Sequence, residues 1–197
     1  MFRAAGMDPV TVDFADPSNL CANCHQPRTA APIDDGAGNA KVTSTHYGPH
    51  HGPQTTILKG VGGYEMDGFD YPNETPHTKG ATCVTCHMNE SNHMFNPSLA
   101  ACNASECHNG EITTLDENSR QVSVANQLIT LRDYLETAGL LEEDTATGEF
   151  HPVVGTYPVD QTGALYNYET LVDDRSMGVH NFKYVEALLQ NSISVFE

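Results

Sequence analysis

Positive charge is scarce in this chain. Nine lysines and arginines stand against 26 aspartates and glutamates in 197 residues, a formal charge of −17. Such a surface repels a phosphate backbone, which excludes nucleic acid as a partner. Cationic proteins, metal ions and oxidised minerals remain as partners, and any self-association brings acidic surfaces together and responds to salt. Long apolar runs are lacking too: no segment approaches the roughly 20 residues of a membrane-spanning helix. Residues 1–20 show no basic start followed by an apolar run. With export expected, the numbering is expected to begin at or after a signal cleavage site, or with the true N-terminus missing. A core-forming composition is weak as well, with 39% hydrophobic residues and 16 glycines and 11 prolines that favour loops. The length fits one domain, but such a chain struggles to bury a core by itself.

Cysteine is in neither excess nor deficit. All six fall into three groups, each with a histidine directly after its second cysteine: Cys21-Ala-Asn-Cys24-His25, Cys83-Val-Thr-Cys86-His87 and Cys102-Asn-Ala-Ser-Glu-Cys107-His108. C-x-x-C-H is the attachment signature of haem c, in which two thiols add to the porphyrin vinyls and the adjacent imidazole reaches the iron. The third group keeps the Cys-His adjacency and loops out two further residues. Zinc sites or disulfides would also use paired cysteines, but neither demands a histidine after every second cysteine. The reading is three covalent haems c, with His25, His87 and His108 as proximal iron ligands. Each macrocycle is large, flat and mostly apolar, so the haems are expected to supply most of the core and the haem-free chain to be largely unfolded. Haem c is attached outside the prokaryotic cytoplasm. The protein is accordingly expected to be exported, either to the cell surface and beyond or to the periplasm.

Residues 1–120 hold every motif and most of the Gly/Pro punctuation, and read as a haem-binding region of loops and single helical turns. Residues 121–197 read as a helical region of the same cofactor-centred unit. Val124, Leu128, Leu131 and Leu135 recur at helical spacing and predict an amphipathic helix that closes near Gly139. A last helix is predicted from about Asn181 to Val195. Between them, the acidic stretch 142–149 reads as a polar hairpin or loop. Its carboxylates suit Ca2+, although solvated acidic turns are the commoner use of such a stretch.

Each low-spin electron-transfer haem needs a second strong axial ligand, and a histidine there gives a lower potential than a methionine. Seven of the ten histidines lie outside the motifs. They rank as distal candidates in the order His180, His93, then His50 or His51, then His77, then His46, with His151 last. Neighbouring side chains of an extended segment point to opposite faces, so two haems on either side of such a strand could each take one of His50 and His51. Met7, Met66, Met88, Met94 and Met177 lie beside better-placed histidines or in unremarkable settings. Lys59 and Lys79 are weakly placed as iron ligands, and no C-x-x-C-K is present.

Several stretches resemble multihaem c-type cytochromes. Ser44-Thr45-His46-Tyr47-Gly48-Pro49-His50-His51-Gly52 looks like their histidine-rich segment that supplies distal ligands. His77 ahead of Cys83-Val-Thr-Cys86-His87-Met88 resembles their distal histidine preceding a C-x-x-C-H-Met, and His93 stands where many such proteins ligate a neighbouring haem. Ser176-Met177-Gly178-Val179-His180-Asn181, with Tyr184 and Leu188-Leu189, is similar to the C-terminal ligand helix of the cytochrome c nitrite reductase and hydroxylamine oxidoreductase superfamily. The resemblance implies a fold of mostly loops with a few α-helices and little β, wrapped around a haem array. Within that group the chain is similar to the small filament-forming extracellular cytochromes, the cytochrome nanowires. This implies an electron carrier rather than an enzyme, polymerised with its own copies and exchanging electrons with redox partner proteins or extracellular metal acceptors. A discrete periplasmic triheme shuttle and a diminished nitrite or hydroxylamine reductase are the alternatives.

Overall fold

The structure, a computed structural model, describes residues 11–91, 93–104 and 107–197. Met7 lies outside them. The chain is mostly loops and helices with little strand, as the sequence predicts. Through residue 110 the helices are short: α1 (Ser18–Cys24), α2 (Gln54–Lys59), α3 (Pro76–Gly80), α4 (Cys83–His87) and α5 (Leu99–Cys102). Helices of this length do not hold themselves together in water, because nucleation costs more than so few bonds return. Side-chain caps support three of them. The Thr75, Thr82 and Ser98 hydroxyls accept hydrogen bonds from the amides of Thr78, Thr85 and Ala101, which satisfies donors that each first turn leaves open.

Three longer helices follow: α6 (Arg120–Thr137), α7 (Val159–Asp174) and α8 (Phe182–Ser194). In α6 the buried stripe is Val124, Leu128, Leu131 and Leu135, the periodicity seen in the sequence. The Asn181 side chain caps α8 by accepting from the Tyr184 amide. α7 has no counterpart among the sequence expectations. Ten of its residues are buried, from Thr162 through Asp174, so it is covered nearly all round and carries no polar face for a pattern to reveal. It packs against α6, α8 and β1 (Asn39–Val42).

β1 pairs antiparallel with β4 (Gly155–Pro158), Asn39 opposite Pro158 and Val42 opposite Gly155. That ladder fastens the loop-rich part to the helical part. β2 (Leu141–Asp144) and β3 (Glu149–Pro152) form a hairpin over the acidic stretch, where the Asp144 carboxylate accepts from the Ala146 amide of its own turn.

The three long helices bury an apolar core of their own, with Leu131, Leu135, Leu165, Leu188 and Leu189 withdrawn from solvent. This departs from the expectation that haem would provide most of the core, because burying these side chains is favourable without any cofactor. Polar clamps bind the loops to that core. The Asn167 side chain accepts from the Tyr64 amide and donates to both the Tyr64 carbonyl and the Ser192 hydroxyl. The Tyr166 hydroxyl donates to the Thr29 carbonyl at 2.7 Å. Tyr64 itself packs against Gly163, where a Cβ would stand 2.0 Å from its ring.

Two outcomes are expected. A variant with all six cysteines replaced by serine, hence without haem, retains the helical far-ultraviolet signal of residues 120–197, and a random-coil spectrum would show that α6–α8 need the cofactors. Gly163→Ala destabilises the protein by about 1–3 kcal/mol through overpacking, despite alanine's helix propensity advantage of about 1 kcal/mol. An unchanged melting temperature would show that Tyr64 yields freely.

Candidate functional site

The first two cysteine groups each use a short helix to set two thiols and one imidazole. α1 carries Cys21 and Cys24, and the His25 amide closes its last turn on the Cys21 carbonyl at 2.9 Å. α4 carries Cys83, Cys86 and His87. Residues three and four apart share a helix face, so the two thiols and the histidine that follows the second of them are set on one side of the turn. In the third group α5 stops at Cys102, and the longer loop is closed by the His108 amide on the Cys102 carbonyl at 3.1 Å. The Asn103 side chain staples that loop by accepting from the Ile112 amide and donating to the Ile112 carbonyl.

The second group adjoins both of the others. α4 packs against both α1 and α5. The Val84 amide donates to the buried Ser18 hydroxyl at 3.0 Å, which joins the first two groups. None of the six cysteines, all of them described, forms a disulfide. Burial pushes the Cys83, Cys86 and Cys102 thiols up, and the neighbouring Cys21 adds to this at Cys83, as Cys102 and Cys107 do at Cys86.

Four imidazoles are held at Nδ1 by oxygens that can only accept. His25 donates to Gln54 Oε1 at 2.8 Å, His87 to the Phe95 carbonyl at 2.8 Å, His77 to the Val179 carbonyl at 2.8 Å and His180 to Asp174 Oδ1 at 2.7 Å. An acceptor at Nδ1 fixes the tautomer and leaves the lone pair on Nε2, the atom through which an imidazole ligates a metal. Two of the motif imidazoles have a second imidazole close by: His108 has His77 with centroids 6.2 Å apart, and His87 has His180 at 6.4 Å; a third pair at similar spacing, His46 and His151, contains no motif histidine. A metal held between two imidazoles at about 2 Å from each nitrogen sets the ring centroids about 6 Å apart. Paired thiols, an adjacent imidazole and a second imidazole at this spacing fit haem c at the second and third groups.

The other candidates lie elsewhere. Among the described residues, which include all ten histidines, no second imidazole stands at this spacing from His25. His50 and His51 are exposed on the loop that wraps the Cys24–His25 backbone, and Gly52 leaves so little room there that a Cβ would lie 3.2 Å from the Cys24 carbonyl. The expected extended geometry is not adopted. His50, His51 and Gly52 have φ of 58°, 70° and 60°, a left-handed turn that brings the two rings to 4.7 Å instead of opposite faces. Successive non-glycine residues in this region store strain, a common property of functional loops. His93 is exposed with its ring 6.3 Å from Phe95, and His46 lies 6.5 Å from His151 at the β2–β3 hairpin. Lys59 donates to the Thr78 carbonyl and covers the Phe14 ring, and Lys79 pairs with Glu74 on the surface. Among the described residues no three of His, Cys, Asp and Glu converge as a bare metal ion requires.

Gln54 and Asp174 have no sequence signature. Their roles depend on the corner between α7 and α8, where Gln54 Nε2 donates to the Asp173 carbonyl at 2.9 Å while its Oε1 receives His25.

No family model matches the chain, and no curated protein matches it. Its fold is similar to that of the outer cell wall cytochrome OcwA in its crystal structure, with a TM-score of 0.59 and 19% identity over 98% of this chain. The chain spans 38% of the length of that protein. At this identity the likeness establishes a shared fold.

A titrating group lies under the histidine-rich loop. Glu169 of α7 backs onto Gly48, and its Oε1 is buried without a hydrogen-bond partner. Burial, followed by the nearby Asp173 carboxylate, pushes Glu169 up from 4.5 to about 8. The folded chain therefore holds this proton more tightly than the unfolded chain does. The resulting stability is complete below pH 4.5 and is lost as the pH rises through about 8. Denaturation curves across that window are expected to show falling stability in the natural chain and a flatter profile in Glu169→Gln. Parallel profiles would show that Glu169 is solvated.

Proposed function

We propose that this chain transfers electrons through three covalently attached c-type haems, as the subunit of an extracellular conductive cytochrome filament. The observation that carries the reading is the pair of facing imidazoles, His87 with His180 and His77 with His108, each at the spacing of a shared iron. Bound haem c supplies a one-electron iron couple. Cys21 and Cys24, Cys83 and Cys86, and Cys102 and Cys107 would tether the three macrocycles, with His25, His87 and His108 as iron ligands. His180 and His77 would supply the second ligands of the second and third haems, which would leave neither iron open to substrate. This favours electron carriage over a nitrite or hydroxylamine reductase activity.

The packing of α4 against both α1 and α5 supports a conducting path, since haems tethered to adjoining helices would be brought close together. The likeness to an outer cell wall cytochrome supports a place at the cell surface. Polymerisation draws its support from the first group. His25 has its Nδ1 secured, yet its second ligand is not among the described intrachain pairs, while His50 and His51 are exposed on a strained turn and engaged in neither pair. In this reading an exposed histidine of one copy completes an iron of the next.

The test joins haem counting with electron microscopy of the purified native protein. Three haems per chain by pyridine haemochrome and mass spectrometry are expected, all low-spin, together with long uniform fibres. Discrete particles with low-spin haems would replace the filament with a soluble shuttle, and a ligand-binding high-spin haem would restore the enzyme. His180→Ala and His77→Ala are each expected to convert one haem to high spin. If His50→Ala and His51→Ala both leave fibres and low-spin spectra intact, the intersubunit ligand is not on that turn.

A further inference from the structure

Four imidazoles have assigned Nδ1 partners, and three of those partners are neutral: the Gln54 amide oxygen and the Phe95 and Val179 carbonyls. The fourth is charged. His180 donates to Asp174 at 2.7 Å, and the Asp174 side chain is 1% exposed. Three donors converge on this carboxylate, because the Ser176 hydroxyl and amide both reach the oxygen that His180 leaves over. The Ser176 hydroxyl in turn accepts from the His180 amide, so the residue that would ligate iron is fixed at both backbone and ring. A surface carboxylate would be screened by water, whereas one buried against an imidazole is not.

We propose that Asp174 makes the haem tethered by Cys83 and Cys86 the hardest of the three to reduce. This rests on the reading that His180 and His87 share its iron. A carboxylate at Nδ1–H draws the proton toward itself and makes Nε2 a stronger donor. The ferric state gains more from that donation than the ferrous state does, and the potential falls. The neutral acceptors at His25, His77 and His87 exert a weaker pull. The second group adjoins both others, so electrons that pass between its neighbours through it cross a low-potential step instead of collecting there. Asp174 touches neither iron nor partner protein and acts as a positioning and tuning residue through His180.

The experiment is a spectroelectrochemical titration of the full three-haem protein, with ferric electron paramagnetic resonance as the second readout. Asp174→Asn is expected to raise one midpoint by at least tenfold in its reduction equilibrium, about 59 mV for one electron, and to leave the others in place. It should also change the ferric signal of one bis-histidine centre, and Asp174→Glu should return both toward the natural values. Three unmoved midpoints in a fully loaded Asp174→Asn protein overturn the proposal. Ser176→Ala removes one competing donor while keeping the carboxylate, so it serves if Asp174→Asn fails to mature: the same midpoint is expected to fall, and an unmoved one overturns the proposal equally. His180→Met separates the two levels of inference. A new methionine-to-iron charge-transfer band with a silent Asp174→Asn removes the tuning alone. No new band, with spectrum and midpoints unchanged, removes His180 as a ligand and the proposal with it.

Discussion

The arrangement of the site depends on one corner of the chain, residues 173–180, from the end of α7 into the link to α8. Asp174 receives the His180 ring, the Val179 carbonyl receives the His77 ring, and the Asp173 carbonyl holds Gln54, whose other end receives His25. Two imidazoles from distant stretches and one of its own are thus oriented by eight consecutive residues. The corner can do this because its backbone is bent in an unusual way. Arg175, Met177 and Gly178 have φ of 60°, 49° and 89°, which aims the Val179 carbonyl and the His180 ring at different partners. Left-handed residues of this kind persist only where surrounding contacts outweigh their strain. Here those contacts are the buried Asp174 at the end of α7 and the Asn181 cap at the start of α8.

Rigidity at the corner comes from the helices on either side. α7 and α8 share the apolar core with α6, so the two ends of the corner cannot separate without exposing Leu165, Leu188 and Leu189. The cysteine groups have no comparable core. Their helices run seven residues at most and are held by hydroxyl caps, by the Ser18–Val84 bond and by clamps such as Tyr166 to Thr29. Labour is thereby divided between a self-supporting helical part that sets the imidazoles and a loop-rich part that carries the thiols.

Legibility followed how local each cause is. The Cys-His groups are contiguous, and attachment chemistry dictates their spacing, so they stand out in a bare sequence. α6 and α8 were legible because each buries one face, leaving a helical period in Leu128, Leu131 and Leu135 or in Tyr184 and Leu188. α7 was not, because burial on nearly every side erases the period, and Gly163 and Asn167 look like breakers until Tyr64 is seen packed on one and bonded to the other. His50 and His51 were read as an extended pair on the general rule for neighbouring side chains. The turn enforced by packing against Cys24 and His25 overrode that rule.

The sequence by itself determined the chemistry available: three thiol pairs each followed by an imidazole, a surplus of histidine, an acidic surface and two amphipathic helices. These are properties of residue identity and short-range order. Tertiary structure alone decided which imidazoles stand opposite which, since His180 meets His87 across 93 positions and His77 meets His108 only after two short helices and a loop have folded between them. It also decided that Asp174, Gln54 and two backbone carbonyls would hold the rings. A hydrogen-bond acceptor has no sequence signature of its own, and its effect on an imidazole arises only when the fold places it within 3 Å.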